Sequence, residues 1–138
     1  MKKTEARDSL LQNLREEACT MAVYPNVERM LKRMSVQLNY KEGVLTAKLT
    51  GEIDHHSARE MREAIDSTAQ KLKPYCLRLD FSQVPFMDSS GVGLILGRVR
   101  LCGFWRGRVV LCGLSANLNK MVELAGISSV AVIERRAG

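Results

Sequence analysis

The sequence predicts an α/β domain in which a mostly parallel sheet carries an antiparallel hairpin at one edge and has helices packed on it. Residues 35–50 alternate apolar and polar side chains over two short stretches, as half-buried strands do. After them, apolar runs of strand length alternate with segments whose apolar residues recur at helical spacing. The resulting order ββαβαβαβ is typical of parallel sheets, because each strand then returns through a crossover helix.

The first elements in this order are the hairpin and the first helix. Strands are predicted at 35–40 and 44–50, joined by a tight turn that ends in glycine. A polar loop follows, and Ser57 with Glu60 three residues later predicts a capping box at the start of the helix. The helix ends before Pro74. Its apolar stripe consists of Ala58, Met61, Ile65, Ala69 and Leu72.

The rest of the chain continues the alternation. Further strands are predicted at 76–81, 108–112 and 129–134, separated by two more helices. The last helix begins at Ser115, a good N-cap residue, and ends at Gly126, which suits the position after a helix end. Its inward-facing residues are predicted to be Leu118, Met121, Val122 and Ala125.

Size and composition limit the class of protein. A chain of 138 residues that is 46% hydrophobic and 26% charged is expected to be one soluble globular domain. It has no apolar run near the ~20 residues that span a bilayer and no signal-peptide stretch at its start, so neither a membrane partner nor export is expected. The four cysteines stand singly, which predicts neither disulfides nor a zinc site. We expect a cytoplasmic protein without metal or cofactor.

The formal net charge of +6 invites a nucleic-acid interpretation, which the spacing of the basic residues does not favour. Residues 34–138 hold 14 Lys and Arg against 10 Asp and Glu, and the first 33 residues hold 7 against 5. The sequence shows no basic stretch interleaved with aromatic residues. The short cluster of Arg98, Arg100, Arg106 and Arg108 is interpreted as a solvated helix end followed by the start of a strand. Direct DNA binding is therefore not expected.

Residues 1–33 differ in pattern and are predicted to be a helical extension that precedes a domain at 34–138. Their apolar residues recur at helical spacing until Tyr24-Pro25 breaks the pattern. Met34 stands where the domain begins. Residues 1–33 are therefore either a native extension or a misassigned start of the chain.

The most informative segment is Phe86-Met-Asp-Ser-Ser-Gly-Val-Gly-Leu-Ile-Leu-Gly-Arg98, where a strand leads into an apolar helix. Asp88 is predicted to be the N-cap, because its carboxylate can accept N–H groups of the first helical turn. Ser89 then occupies the first helical position with its hydroxyl facing solvent. Since free N–H groups and the helix dipole favour an anion there, a phosphate on Ser89 would be well placed. Local chemistry alone favours the simpler interpretation, in which Asp88, Ser89 and Ser90 only cap the helix.

Fragments of the sequence suggest two other functions with weaker support. Gly91-x-Gly93-x-x-x-Gly97 resembles a dinucleotide-binding loop, but it follows the third strand and lacks an acidic residue at the expected distance. Gly93 and Gly97 lie on one helix face, which favours core packing or an interface. A hydrolase built from Ser89, a histidine and Asp54 lacks the Gly-x-Ser-x-Gly motif.

Two segments together resemble one family, the STAS domains of anti-sigma-factor antagonists. They are residues 49–58, Leu-Thr-Gly-Glu-Ile-Asp-His-His-Ser-Ala, and residues 86–98. The histidine pair and residues 94–98 are most similar to the sporulation branch, which releases a forespore sigma factor. The resemblance covers roughly residues 34–134 and implies a STAS-type sandwich that is not an enzyme. Because the family usually has a further C-terminal helix on the sheet, residues 1–33 are hypothesised to cover the surface which that helix would cover.

The resemblance implies a partner switch that is controlled by phosphorylation. The unphosphorylated protein would bind the ADP-bound form of a dimeric anti-sigma factor that is also a serine kinase, and so release the sigma factor. Phosphorylation of Ser89 would stop this binding, and a PP2C-type phosphatase would restore it. Carried over by position, the partner-binding residues are Asp54, His55, His56, Ser57, Asp88, Ser90, Gly91, Gly93, Leu96 and Arg98. A general-stress antagonist and a nucleotide-binding regulatory domain stay open as alternatives.

Overall fold

The structure is a computed structural model that describes residues 35–134. Within this range the sheet has five strands in the order β1-β2-β3-β4-β5, with β1 antiparallel to β2 and the other neighbours parallel. The strands are β1 Val36–Lys41, β2 Val44–Thr50, β3 Cys76–Gln83, β4 Arg108–Cys112 and β5 Val132–Ile133. The helices are α1 His55–Leu72, α2 Ser89–Gly103 and α3 Ala116–Leu124, with a 3₁₀ turn at Ile127–Ser129. The predicted fold class, including the antiparallel edge hairpin, is confirmed.

The hairpin turn between β1 and β2 has two central residues, Glu42 and Gly43. Their φ angles are 52° and 82°, so both lie in the left-handed region that a two-residue hairpin turn of type I′ requires. Lys41 and Val44 pair directly across the turn. The glycine that marked this turn in the sequence therefore sets the register of the whole hairpin.

One face of the sheet carries the core. Alternate residues of β2 and β3 point to this face, and they pair in register as Leu45 with Leu77 and Ala47 with Leu79. These residues are fully buried and belong to one apolar cluster with the buried sides of all three helices. The predicted stripe of α1 lies wholly in that cluster, which confirms its helical spacing. Among the described helices, none combines the length and apolar character that crossing a membrane requires.

Helix α1 begins three residues earlier than the sequence predicts. Its N-cap is Asp54, whose carboxylate accepts the Ser57 N–H, while the Ser57 hydroxyl accepts the Asp54 N–H, both at 2.8 Å. Ser57 therefore occupies the third helical position and is the second member of the capping box, whereas Asp54 is the N-cap. Glu60 instead lies 3.3 Å from Nε2 of His56, on the next turn. The Ser57–Glu60 prediction was wrong because Asp54 and Ser57 already satisfy each other's N–H groups.

The C-terminal segment departs from prediction in two places. The predicted strand at 129–134 is shortened to Val132–Ile133, because the N–H groups of Val130 and Ala131 turn back to the Ile127 carbonyl. Ala125, predicted to face inward, is exposed, whereas Leu118 and Val122 are buried. Ser115 is the N-cap of α3 as predicted, and Gly126 follows the helix end with a φ of 75°. The predicted extension at 1–33, with the hypothesis about its packing, lies outside the described residues.

Candidate functional site

The site lies at the edge of the sheet where the parallel strands end, which we call the carboxyl edge. Here β2 leads into α1 and β3 leads into α2, and the two connections are hydrogen-bonded to each other. The Ile53 N–H donates to the Phe86 carbonyl at 3.0 Å, and the Asp88 N–H donates to the Ile53 carbonyl at 3.1 Å. Ile53 and Met87 also form a parallel bridge and are buried. This pairing holds the N-termini of α1 and α2 side by side, as expected where adjacent parallel strands end.

The N-terminus of α2 presents Ser89 to solvent. Asp88 is the N-cap, and its Oδ1 accepts the Ser90 N–H at 2.8 Å. Ser89 is the first helical residue and is exposed, whereas Asp88 and Ser90 are half-buried on either side of it. The N-cap role of Asp88 and the exposed first helical position of Ser89 were both predicted from the sequence. The Ser89 hydroxyl therefore stands in water, one residue from a carboxylate and at the positive end of a 15-residue helix.

The α1 side of the site contributes a rigid cap and two exposed histidines. The Ser57 hydroxyl donates to the Glu52 carbonyl at 2.9 Å, in addition to its contacts with Asp54. Hydrogen bonds from the backbone and side chain of Ser57 hold the pKa of Asp54 below its usual range, so this carboxylate is charged near neutral pH. His55 and His56 are exposed in the first turn. The structure thus brings residues 54–57 to the same edge as Ser89.

Helix α2 continues the site away from the sheet edge. Its buried face consists of Gly91, Leu94, Ile95, Arg98 and Cys102. The other face presents an open strip, the α2 stripe, formed by Ser89, Gly93, Leu96 and Gly97. Leu96 is 42% exposed, and among the described residues a Cβ added at Gly93 or Gly97 would meet no atom within 4 Å beyond its chain neighbours and the α2 backbone. Since two of its four residues lack side chains, the stripe lets a partner approach the helix backbone closely.

Gly91 belongs to the core and not to this surface, contrary to the prediction that it binds a partner. A Cβ at this position would lie 2.6 Å from the sulfur of Met87 and 3.0 Å from its Cβ. Met87 is itself 1% exposed. A glycine is needed here because the start of α2 crosses directly over the buried Met87 side chain.

Arg98 was also predicted to contact a partner, and the structure corrects this prediction. It is 5% exposed, and its Nε lies 2.9 Å from Oδ1 of Asp66 on α1. The two atoms form an ion pair without hydrogen-bond alignment, and Arg98 Nη1 is buried with no hydrogen-bond partner among the described residues. Burial raises the pKa of Asp66 and lowers that of Arg98, while each opposes the shift of the other. Arg98 links α1 to α2 and is not available at the surface.

Phe86 is a surface residue that sequence reasoning did not assign. Its side chain is 55% exposed and lies in the connection that pairs with Ile53, three residues before Ser89. The available signal was an aromatic residue placed after the strand pattern had ended and directly before a capped helix. An exposed aromatic beside a polar cluster is the kind of residue that anchors protein interfaces.

Comparison with protein families gives a match to the STAS domain family over residues 35–136. The chain belongs to the STAS domain family. This STAS domain is 29% identical over 100 residues to the anti-sigma F factor antagonist of Paenibacillus polymyxa, covering 72% of this chain and 86% of that protein. It is 32% identical over 90 residues to the anti-sigma-B factor antagonist of Listeria monocytogenes, covering 65% and 78%.

Solved structures place this STAS domain beside the anti-sigma factor antagonist SpoIIAA. The unphosphorylated form of SpoIIAA gives a TM-score of 0.60 at 28% identity, covering 74% of this chain and 89% of that one. The phosphorylated form of the Bacillus cell fate determinant SpoIIAA gives 0.59 at 29%, covering 73% and 92%. The family resemblance inferred from residues 49–58 and 86–98 is therefore confirmed.

Proposed function

We propose that this STAS domain is an anti-sigma-factor antagonist that acts by binding and not by catalysis. The observation that carries the proposal is the exposed Ser89 at the N-terminus of α2, at one end of the open α2 stripe. Relatives from two branches are named as antagonists of anti-sigma factors. In this proposal the unphosphorylated domain binds the ADP-bound form of an anti-sigma factor that is a dimeric serine kinase. The bound sigma factor is then released.

Phosphorylation of Ser89 is the proposed switch. A phosphoserine adds about −1.5 to −2 charge at pH 7, next to the Asp88 carboxylate. The positive end of the α2 dipole offsets part of this charge, so the fold is expected to survive. A partner that covers an uncharged hydroxyl would instead enclose an uncompensated dianion, which costs several kcal/mol. The unphosphorylated and phosphorylated forms of SpoIIAA match this domain almost equally, with TM-scores of 0.60 and 0.59. This similarity supports a switch that alters charge and leaves the fold intact.

The remaining parts of the cycle follow from this switch. A kinase partner requires a second enzyme to restore the active form, and we propose a PP2C-type serine phosphatase in that role. The exposed Ser89 hydroxyl gives both enzymes access. Both reactions would take place in the cytoplasm, where sigma factors act.

The first test maps the modified residue. Incubation of the protein with its cognate anti-sigma kinase and ATP is expected to add one phosphate, which peptide mapping by mass spectrometry places on Ser89. Ser89→Ala is expected to abolish labelling, and the matched control Ser90→Ala is expected to keep it. Labelling of Ser90 or Ser115 in the unmodified protein would contradict the assignment.

A general-stress antagonist is the second candidate, and the 32% identity to the Listeria anti-sigma-B antagonist favours it. Sporulation is favoured by the Paenibacillus relative and by SpoIIAA. Titration against purified anti-sigma F and anti-sigma B factors separates the two, because each antagonist is expected to bind only one of them tightly. A nucleotide-binding role is disfavoured, because Gly91, Gly93 and Gly97 all lie within α2 and not in a loop before it.

Two glycines of α2 provide a matched pair of variants. Gly93→Val is expected to leave the free energy of unfolding nearly unchanged, since the new side chain points into open space, and to weaken binding of the anti-sigma factor. Gly91→Val is expected to cost about 1–3 kcal/mol of stability, because it overpacks the buried Met87. Urea denaturation and binding titrations measure the two effects separately. Unchanged affinity in a folded Gly93→Val protein would remove the α2 stripe from the interface.

A further inference from the structure

The edge opposite the site, which we call the amino edge, collects the turns that precede the parallel strands. The Tyr75 N–H donates to the Gly43 carbonyl at 3.0 Å, and the Arg108 N–H donates to the Tyr75 carbonyl at 2.9 Å. Val110 pairs with Val132 in parallel register, so the turn before β5, which contains Val130, lies at the same edge as Arg108 at the start of β4. The hairpin turn and the segments before β3, β4 and β5 therefore form one continuous row.

Exposed apolar side chains are concentrated along this row. Residues 35–134 contain seven large apolar side chains that are exposed, and four of them lie at the amino edge. They are Phe104 at 81%, Leu124 at 80%, Tyr75 at 53% and Val130 at 50%. The neighbouring Trp105 fixes the turn that carries Phe104, because its indole N–H donates to the Pro74 carbonyl at 2.8 Å. Ordered backbone thus projects these side chains into water.

Positive charge is concentrated at the same edge. The basic side chains there are Lys41, Lys71, Lys73, Arg100, Arg106 and Arg108, and the acidic ones are Glu42 and Glu123. Residues 35–134 hold 12 Lys and Arg against 10 Asp and Glu. Without the amino edge the remainder holds 6 basic and 8 acidic side chains, so the positive excess of the described domain lies entirely at this edge.

We propose that the amino edge docks on the surface of an anionic lipid membrane, a function beyond the proposed antagonism. Aromatic and aliphatic side chains on turns enter the interfacial layer, and each Lys or Arg near an anionic surface adds about 1 kcal/mol of attraction. Leu124 and Val130 favour lipid over nucleic acid, because aliphatic side chains offer no ring for base stacking. The sequence-based expectation of no membrane partner considered only spanning segments, whereas the fold assembles this surface from four separate segments. Docking would leave Ser89, at the other edge, facing away from the membrane.

The test is co-sedimentation of the full-length protein with vesicles of phosphatidylcholine, with and without phosphatidylglycerol, at low and high salt. Binding is expected only with phosphatidylglycerol and is expected to weaken as salt screens the charges. The double variant Phe104→Ser/Lys73→Glu is expected to lower the partition coefficient at least about 20-fold, since the reversal changes the charge by two. Its matched control, Phe86→Ser/Arg59→Glu, replaces an exposed aromatic residue and reverses an exposed charge near the opposite edge, and is expected to bind as the unmodified protein does.

Any result other than those expected overturns the proposal. It is overturned if the protein does not bind vesicles, or if the two double variants lose vesicle binding equally. Binding that survives Phe104→Ser/Lys73→Glu would place the membrane contact elsewhere in the chain. Binding to a single-stranded oligonucleotide or to polyglutamate in the absence of vesicle binding would assign the edge to nucleic acid or to an acidic protein. Circular dichroism melts check folding, and Leu124→Ser/Lys71→Glu serves as a second variant if the first is unfolded.

Discussion

Phosphorylation of Ser89 is expected to weaken binding of the anti-sigma factor by about 100-fold or more, and Ser89→Asp is expected to weaken it in the same direction. A buried and uncompensated charge costs several kcal/mol, and every ~1.4 kcal/mol is a tenfold change in affinity. Ser89→Ala is expected to bind like the unphosphorylated protein, because the surface stays uncharged. Isothermal titration with the purified anti-sigma factor and ADP measures all three.

A charge control for this experiment is Ser67→Asp, which adds the same charge at an exposed position in the body of α1. Its affinity is expected to match that of the unmodified protein. If Ser89→Asp bound as tightly as Ser89→Ala, charge at this position would not be the switch. If Ser67→Asp also bound weakly, the effect would be one of overall charge and not of the site.

Arg98→Met is expected to destabilise the fold by about 3 kcal/mol, near the lower end of the range for breaking a buried ion pair. The substitution keeps most of the side-chain volume but leaves the half-buried Asp66 carboxylate without its cation. The side chain of Asp66 is 24% exposed, so water screens part of the cost. The double variant Arg98→Met/Asp66→Leu is expected to recover most of the loss, because it leaves no unpaired charge. Urea denaturation measures the three free energies.

The loss in Arg98→Met is also expected to depend on pH. Burial already raises the pKa of Asp66 above its ordinary value of 3.8, and removal of Arg98 takes away a charge that opposes this shift. A carboxyl with a raised folded-state pKa binds its proton more tightly in the folded state than in the unfolded state. The stability that Arg98→Met loses therefore grows as pH rises through that pKa. Arg98→Met should therefore lose less stability as pH falls from neutral toward 3.8. A double variant as unstable as the single one, or a loss independent of pH, would show that packing and not charge is responsible.

Local patterns were sufficient for the parts of the fold that local chemistry determines. Asp88, Ser115 and Gly126 were assigned correctly because capping depends on residues within one helical turn. The start of α1 was missed because two overlapping sets, Asp54 with Ser57 and Ser57 with Glu60, both satisfy a capping pattern. Only the backbone of the preceding loop decides between them.

The interior residues of α2 were assigned less well because their environment comes from elsewhere in the chain. Arg98 stands among other arginines in the sequence, and its partner Asp66 is 32 positions away on another helix. Gly91 is constrained by Met87, whose side chain is buried only once β3 and α2 are joined. Periodicity identifies the faces of α2, but it does not show which face meets α1 and which stays open.

The direction of the two edge strands has a consequence for how binding is measured. Ser35, at the start of β1, accepts the Thr50 N–H at 2.8 Å, and Glu134, just after β5, donates to the Leu111 carbonyl at 2.8 Å. Both ends of the described chain thus emerge at the carboxyl edge, where Ser89 lies. A peptide tag joined directly before Ser35 or after Glu134 by a short flexible linker would be tethered there at an effective concentration that reaches about millimolar. A histidine-rich or basic tag near the site carboxylates would compete with the anti-sigma factor from within the same molecule, so affinities should be measured on protein from which the tag has been cleaved.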